Sequence, residues 1–492
     1  MRRVVLASAA IISFVGLSQS GSAADMAARP AYKAPPPPAV WSWTGFYIGV
    51  NAGGSIGRNP TNVTGSPATF GAAGVQESYN LSPAGFVGGG QIGYNWQVSP
   101  NWVAGLEADF QGTTQKDSSC LVLCYTLSAT ATQKMDWFGT VRGRLGYATG
   151  DWLWYVTGGG AWANIKQDFA EVLTPGGVAG SVSSNHTNFG WVVGGGVETH
   201  LFGGWSAKAE YLYMDLGRIT DSFTAVAPAF AAGPFTTQSD IRDHIVRVGL
   251  NYKFGSNDAV NAYAADLGTA PIYKAPHATA VAARNWTGVY LGLNAGGSIS
   301  RNSTNLNETL VGGPTLLFDS YNMSPAGFVG GGQIGYNWQF ASNWVAGIEA
   351  DFQGTTQKDS SCLQQCTGGT AFTTTQKLDW FGTVRGRIGY AAGNWLWYAT
   401  GGGAWANVKQ DFAEISNATG TVLGSSSSSQ TKGGWVVGGG AETLLGGGWS
   451  VKAEYLYMDL GTIRNSFAVP TVFATESDIR DHIIRAGLNY RF

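Results

Sequence analysis

The chain has 492 residues with a formal net charge of −2 and only 12% charged residues, yet it carries 72 Gly, 19 Trp, 20 Tyr and 23 Phe. Acids and bases are interspersed, so no basic field exists to attract nucleic acid, and so many aromatics beside so little charge make a poor soluble surface. Two classes remain, a secreted all-β protein and a transmembrane β-barrel, whose alternating strands average to a mean hydropathy near zero.

In chain order, Arg2 and Arg3 precede an apolar run from Val4 to Leu17 and the small residues Gly21-Ser22-Ala23-Ala24. This is the pattern of a secretory signal peptide over residues 1–23, and its apolar core is shorter than the roughly 20 residues of a spanning helix. Residues 24–42 are rich in Ala and Pro, with Pro35 to Pro38 favouring extended polyproline structure, and read as a periplasmic spacer.

From there the chain repeats itself. Ser82 to Gln97 recurs unchanged as Ser324 to Gln339, and Trp102 to Ser119 recurs as Trp344 to Ser361 with Leu106 replaced by Ile348. The ends Leu250 to Phe254 and Leu488 to Phe492 also correspond. Residues 43–254 and 285–492 are therefore expected to be two copies of one domain, joined by a periplasmic linker over residues 255–284.

In the first copy, strictly alternating segments bounded by aromatics begin near Thr44, Gly85, Trp102, Met135, Trp152, Trp191, Trp205 and His244. They predict eight strands. Val98 to Asn101, Thr149 to Asp151 and Phe202 to Gly204 read as tight turns, whereas Ser55 to Pro83, Thr113 to Lys134, Lys166 to Asn188 and Leu216 to Asp243 read as long loops. Short connections on one side and long ones on the other match periplasmic turns and extracellular loops. The expected fold is two tandem eight-stranded antiparallel up-and-down transmembrane barrels, with one sixteen-stranded barrel as the alternative. The segment Tyr32-Lys33-Ala34-Pro35 ahead of the first copy returns as Tyr273-Lys274-Ala275-Pro276 ahead of the second, and each copy has its own Tyr-x-Phe end, which favours the two-barrel form.

The third strand shows the two faces. Trp102, Ala104, Leu106, Ala108 and Phe110 share one side, and Glu107 and Asp109 lie on the other. With apolar residues toward lipid, the same parity places Arg142, Arg144, Glu198, Lys208, Glu210 and Arg247 in the lumen. The second copy repeats the set as Glu349, Asp351, Arg385, Arg387, Glu442, Lys452, Glu454 and Arg485. Four acids face four bases in each copy, a balance suited to filling the interior of a small barrel. A structural plug is the leading interpretation and a narrow ion path the alternative.

Other signals are weaker. Gly88 to Gly93 and Gly330 to Gly335 fit G-x-G-x-x-G but lie within strands, where no helix N-terminus follows to hold pyrophosphate. Gly-rich runs such as Gly158 to Gly160 and Gly194 to Gly196 are assigned to curvature and close packing. Cys120 and Cys124, and Cys362 and Cys366, are expected to form local disulfides in an oxidising compartment, with metal binding or free thiols as lesser alternatives. Asp243-His244 and Asp481-His482 are expected to form hydrogen-bonded pairs at the rim, a minor alternative being a hydrolase site.

The segments Trp43–Gly54 (WTGFYIGVNAGG), Gly88–Trp96 (GGGQIGYNW) and Val141–Tyr147 (VRGRLGY) carry a resemblance. They are similar to the alphaproteobacterial outer-membrane β-barrel family of RopB-type and brucella surface-antigen proteins, which is related in fold to the barrel of OmpA-like porins. The resemblance implies a porin-like structural surface protein concerned with envelope integrity and host contact, with haemin binding in some members. It also implies that Phe492 serves as a terminal signal for the barrel-assembly machinery. The doubling departs from the family's single barrel, and no peptidoglycan-binding domain is expected after Phe492.

The expected protein is thus a non-catalytic, cofactor-free resident of the bacterial outer membrane with periplasmic termini. Its expected partners are outer-membrane lipid, lipopolysaccharide, the assembly machinery and a host or surface ligand met by the loops. Passive porin-type transport of small solutes is the principal alternative.

Overall fold

The computed structural model describes residues 41–65, 74–121, 124, 127–173, 177–225, 233–255, 285–309, 313–363, 366–367, 370–469 and 471–492. The expected signal peptide over residues 1–23, the spacer up to residue 40 and the linker from residue 256 lie outside the described residues.

Among the described residues the structure contains 21 strands. The first copy holds β1 (Gly45–Gly57), β2 (Asn59–Gly65), β3 (Gly74–Leu81), β4 (Ala84–Gln97), β5 (Trp102–Thr113), β6 (Lys116–Leu121), β7 (Leu127–Thr149), β8 (Trp152–Leu173), β9 (Gly177–Phe202), β10 (Trp205–Ala225) and β11 (Gly233–Lys253). The second holds β12 (Gly288–Ser300), β13 (Asn302–Thr309), β14 (Thr315–Met323), β15 (Ala326–Gln339), β16 (Trp344–Leu363), β17 (Thr370–Ala392), β18 (Trp395–Ser416), β19 (Thr421–Gly446), β20 (Trp449–Val469) and β21 (Thr471–Arg491).

The antiparallel ladders run in two closed cycles of eight strands. One passes β1–β4–β5–β7–β8–β9–β10–β11 and returns to β1, with Tyr47 opposite Gly93 on one side and Lys253 on the other. The other passes β12–β15–β16–β17–β18–β19–β20–β21 and returns to β12. Closure leaves no unpaired edge at this level, as a lipid environment requires of every backbone N–H and C=O. The faces follow the alternation: Phe46, Ile48 and Val50 on β1, Leu106 and Phe110 on β5, and Val141 and Leu145 on β7 are exposed outward, while Glu107, Asp109, Arg142 and Arg144 are buried inside.

At the long-loop end the structure departs from the sequence expectation, because most of the four expected loops are strand. β7, β8, β9, β10 and β11 each exceed 20 residues, and β2, β3 and β6 occupy much of the remainder. The sequence expectation ends each strand where its apolar alternation stops, but each residue added to a strand already in the wall gains a ladder bond, so the walls continue past the rim. The two walls also join there: Ser78 on β3 lies opposite Cys362 on β16, Ser320 on β14 opposite Cys120 on β6, and Asn80 opposite Asn322. Beneath this junction Tyr79, Leu81 and Leu121 of one copy pack with Phe318, Tyr321 and Phe372 of the other in one buried cluster.

The wall explains the glycine runs. A Cβ on lumen-facing Gly159 would stand 2.0 Å from the Val141 carbonyl oxygen and 2.7 Å from the Arg142 Cα, whereas one on Gly160 meets nothing within 4 Å. Gly402 and Gly403 repeat the contrast. We therefore expect Gly159→Ala to destabilise the folded barrel by about 1–3 kcal/mol through overpacking, and Gly160→Ala to be near neutral. The fraction migrating as a folded species in unboiled gels measures both, and equal behaviour of the two variants would refute the packing assignment.

Candidate functional site

The charged residues of each lumen come from inward positions of five strands. In the first copy β5 supplies Glu107 and Asp109, β7 Arg142 and Arg144, β9 Glu198, β10 Lys208 and Glu210, and β11 Arg247. The structure brings all eight together. The Arg142 guanidinium donates to Asp109 at 2.8 Å, to Glu210 at 3.0 Å, to Thr140 at 3.0 Å and also to Glu107. Arg247 pairs with Glu210 at 2.7 Å and Asp109 at 2.8 Å, Lys208 with Glu107 at 2.8 Å, and Arg144 with Glu198 at 2.7 Å.

The second copy repeats this network. Arg385 pairs with Glu454 and Asp351 at 2.9 Å each and also with Glu349. Arg485 pairs with Asp351 and Glu454 at 2.7 Å each, Lys452 with Glu349 at 2.8 Å, and Arg387 with Glu442 at 3.1 Å. One difference is local: Arg144 donates to the Tyr47 hydroxyl, whereas Arg387 donates to Asn337.

Several members were not named from the sequence. Tyr47 donates to Glu107 at 2.7 Å and Tyr155 to Glu210 at 3.0 Å, and the Arg144 guanidinium lies 4.5 Å from the centre of the Tyr155 ring. Asn51, Gln91 and Asn251 form an amide chain that ends on Glu198. All of these share the inward parity of the charged residues, but none carries a charge that marks it in the sequence.

The other candidates fall in distinct places. Gly88–Gly93 lies inside β4, and Gly330–Gly335 inside β15, each running on in strand. Cys120–Cys124 and Cys362–Cys366 are disulfide-bonded, and the Cys124 amide donates to the Phe318 carbonyl of the other copy at 3.0 Å. The expected rim pairs do not form. Asp243 is buried and accepts from Gln115 at 2.7 Å, while His244, on the opposite face, bonds the Tyr211 hydroxyl at 2.8 Å; Asp481 and His482 repeat this with Gln357 and Tyr455. Adjacent residues in a strand point to opposite faces, so the two cannot act on each other.

Between the copies runs a seam with pseudo-twofold symmetry. Arg58 pairs with Asp359 at 2.9 Å and donates to the Ser324 carbonyl, while Arg301 pairs with Asp117 at 2.7 Å and donates to the Ser82 carbonyl. Asn80 donates to Asp359 at 2.7 Å and Asn322 to Asp117 at 2.6 Å. Ser82 and Ser324 meet on the axis. At the short-turn end Trp152 stacks on Trp395 with ring centres 3.5 Å apart. Above the rim Glu77 of β3 is buried; burial first, then Asp319 and Glu171, push its carboxyl up to about 8.

The family model for the outer membrane protein beta-barrel domain matches residues 26–254 and 275–492. The 31 kDa outer-membrane immunogenic protein of Brucella melitensis is 39% identical over 256 residues, covering 52% of this chain and 100% of that protein. The 22 kDa outer membrane protein of Rhizobium leguminosarum is 31% identical over 227 residues, covering 46% of this chain and 83% of that one. Among solved structures, the outer membrane protein OprG from Pseudomonas aeruginosa aligns with 12% identity and a TM-score of 0.27, covering 43% of this chain and 97% of that one.

Two outcomes are expected from this geometry. Arg142→Ala leaves buried carboxylates uncompensated and should cost about 3–5 kcal/mol. Adding Glu107→Gln should recover part of it, and strict additivity in the double-mutant cycle would show that the two do not interact.

The second concerns Glu77. Its folded-state pKa of about 8 stands above the ordinary value of 4.5, so the folded state holds the proton longer. Stability should then fall as pH rises from about 4.5 to 8 and level off above that. Denaturation midpoints measured across this range should flatten in Glu77→Gln, and an unchanged slope would assign the pH dependence elsewhere.

Proposed function

Because the chain belongs to the outer membrane protein beta-barrel domain family, we propose that its two domains, over residues 43–254 and 285–492, close as separate charge-plugged barrels with a structural and surface-interaction role. The chain is a non-catalytic outer-membrane protein, and its apolar outer face associates with membrane lipid. In this reading residues 1–23 direct export, residues 24–42 and 255–284 act as periplasmic spacers, and Phe492 addresses the barrel-assembly machinery. The long-loop end is the surface that meets other molecules.

One observation carries the structural role over transport. The side chains of Arg142, Lys208 and Arg247 are 0% exposed, as are those of Arg385, Lys452 and Arg485. A continuous water path along either axis would have to wet some of them. The opposed faces of Asp243 and His244 support the absence of a rim hydrolase. The immunogenic character in the name of the Brucella relative supports an exposed long-loop end.

Planar-bilayer recording tests the proposal. The purified full chain should give no steady porin-sized conductance, and Arg142→Ala with Arg385→Ala should be the change that begins to open a path. Large regular conductance steps in the unmodified chain, passing a graded series of neutral solutes, would overturn the plug and favour passive transport.

A further inference from the structure

Each copy carries a row of lysines that the lumen network does not use. Lys116 on β6 lies directly opposite Lys134 on β7, which lies opposite Lys166 on β8. In the second copy Lys358, Lys377 and Lys409 repeat the row across β16, β17 and β18. Their strand neighbours Gln115, Gln133 and Gln167 are buried inside the wall, so the lysines face outward. Like charges directly opposite in a ladder repel. One carboxylate serves each row: Asp136 bonds Lys134 at 2.6 Å and Lys166 at 2.7 Å, and Asp379 bonds Lys409. Lys116, Lys358 and Lys377 have no ion-pair partner among the described residues.

The height of the rows is informative. Lys116 stands opposite Ala84, two residues beyond Phe86 on the same face, and Phe86 is 80% exposed. One pleat repeat is about 7 Å, so the ammonium groups begin one step above the apolar face. Stacked Phe110–Trp137 and Phe352–Trp380 mark the edge of that face below the two rows. Neighbouring strands are about 4.8 Å apart, close enough for adjacent lysines to share one phosphate. The second row also ends in a cleft of about 290 Å³ across the seam, walled by Lys358 with Arg58, Ser78, Asn80 and Ser360. Acids sit nearby as well: Asp359 in the cleft pairs with Arg58, and Asp168 and Asp411, one step above the rows, are bound by Ser183 and Ser427. With these included, each row still holds three lysines against two outward carboxylates, Asp136 and Asp168 in one and Asp379 and Asp411 in the other.

We propose that these rows bind the phosphorylated headgroup of an outer-leaflet glycolipid, with Lys358, Lys377 and Lys409 and the seam cleft forming one site and Lys116, Lys134 and Lys166 the other. This rests on the outer-membrane reading above, which places the rim at headgroup depth. Lysine suits the task, because its long stem lies along apolar surface while its ammonium reaches phosphate as a point charge.

The test uses the full chain in neutral detergent, fluorescent bis-phosphorylated lipid A, the same lipid with its phosphates removed, and a variant with all six lysines changed to Gln. Wild type should bind the phosphorylated probe with an affinity that falls with salt, and the variant should bind roughly ten- to a hundred-fold more weakly. Dephosphorylated probe should bind wild type as weakly as phosphorylated probe binds the variant. Equal affinity of wild type for both probes, or of both proteins for the phosphorylated one, overturns the proposal; the wild-type comparison stands even if the variant fails to fold. Inorganic pyrophosphate competing at probe concentrations would assign the rows to free phosphate and sink the lipid reading. Loss of heat-modifiable migration in wild type itself would strike the barrel reading instead.

Discussion

An eight-stranded barrel in lipid can leave neither its interior empty nor a charge inside it unpaired, and the rest of this molecule is arranged around that constraint. The uncompensated cost of one buried ion is several kcal/mol. Here each guanidinium is shared among carboxylates from different strands, so Arg142 on β7 ties β5 to β10 and Arg247 on β11 ties the same two acids together. The lumen network therefore acts across the ring, where the backbone ladder acts only between neighbours. Removing any member disturbs more than one wall strand.

Glycine is the complement of that network. Where Arg142 and Arg247 fill the axis, their ladder partners on the adjacent strands, Gly159 and Gly53, leave a Cβ no room. The space a side chain would have taken at the glycine is left to the long charged chain beside it. Outside, bulky apolar residues such as Phe86 and Phe328 project freely, because lipid rather than protein surrounds them.

Much of this was legible in the sequence because a strand has a period of two. Trp102, Leu106 and Phe110 on one parity fixed Glu107 and Asp109 on the other, and the repeat carried the assignment to Glu349 and Asp351. Neutral members such as Tyr47, Tyr155 and Gln91 obey the same parity but lack a charge to draw notice. Asp243 and His244 looked like a pair because they are adjacent, though adjacency in a strand means opposite faces. The extensions β2, β3 and β6 were hidden because the apolar alternation stops before them, although a neighbouring strand still offers a ladder. The seam left no local signal at all, because Arg58 and Asp359 are brought together only by the meeting of two copies.

The seam suggests what duplication achieves physically. Below the rim each ring closes on its own strands. Past the rim, β3 and β6 of one copy do not complete a wall by themselves, and an exposed strand edge there invites pairing with any other chain. The second copy supplies β16 and β14 to those edges, and the same repeat that provides the strand provides the matching polar partners. Asp117 takes the Ser82 amide from its own copy and Arg301 and Asn322 from the other, while Asp359 does the reverse. A self-complementary edge needs a partner of its own kind, and placing that partner in the same chain holds it close at all times. The long-loop end thereby becomes one continuous surface carrying two outward lysine rows about a common axis, a larger platform than either barrel alone presents.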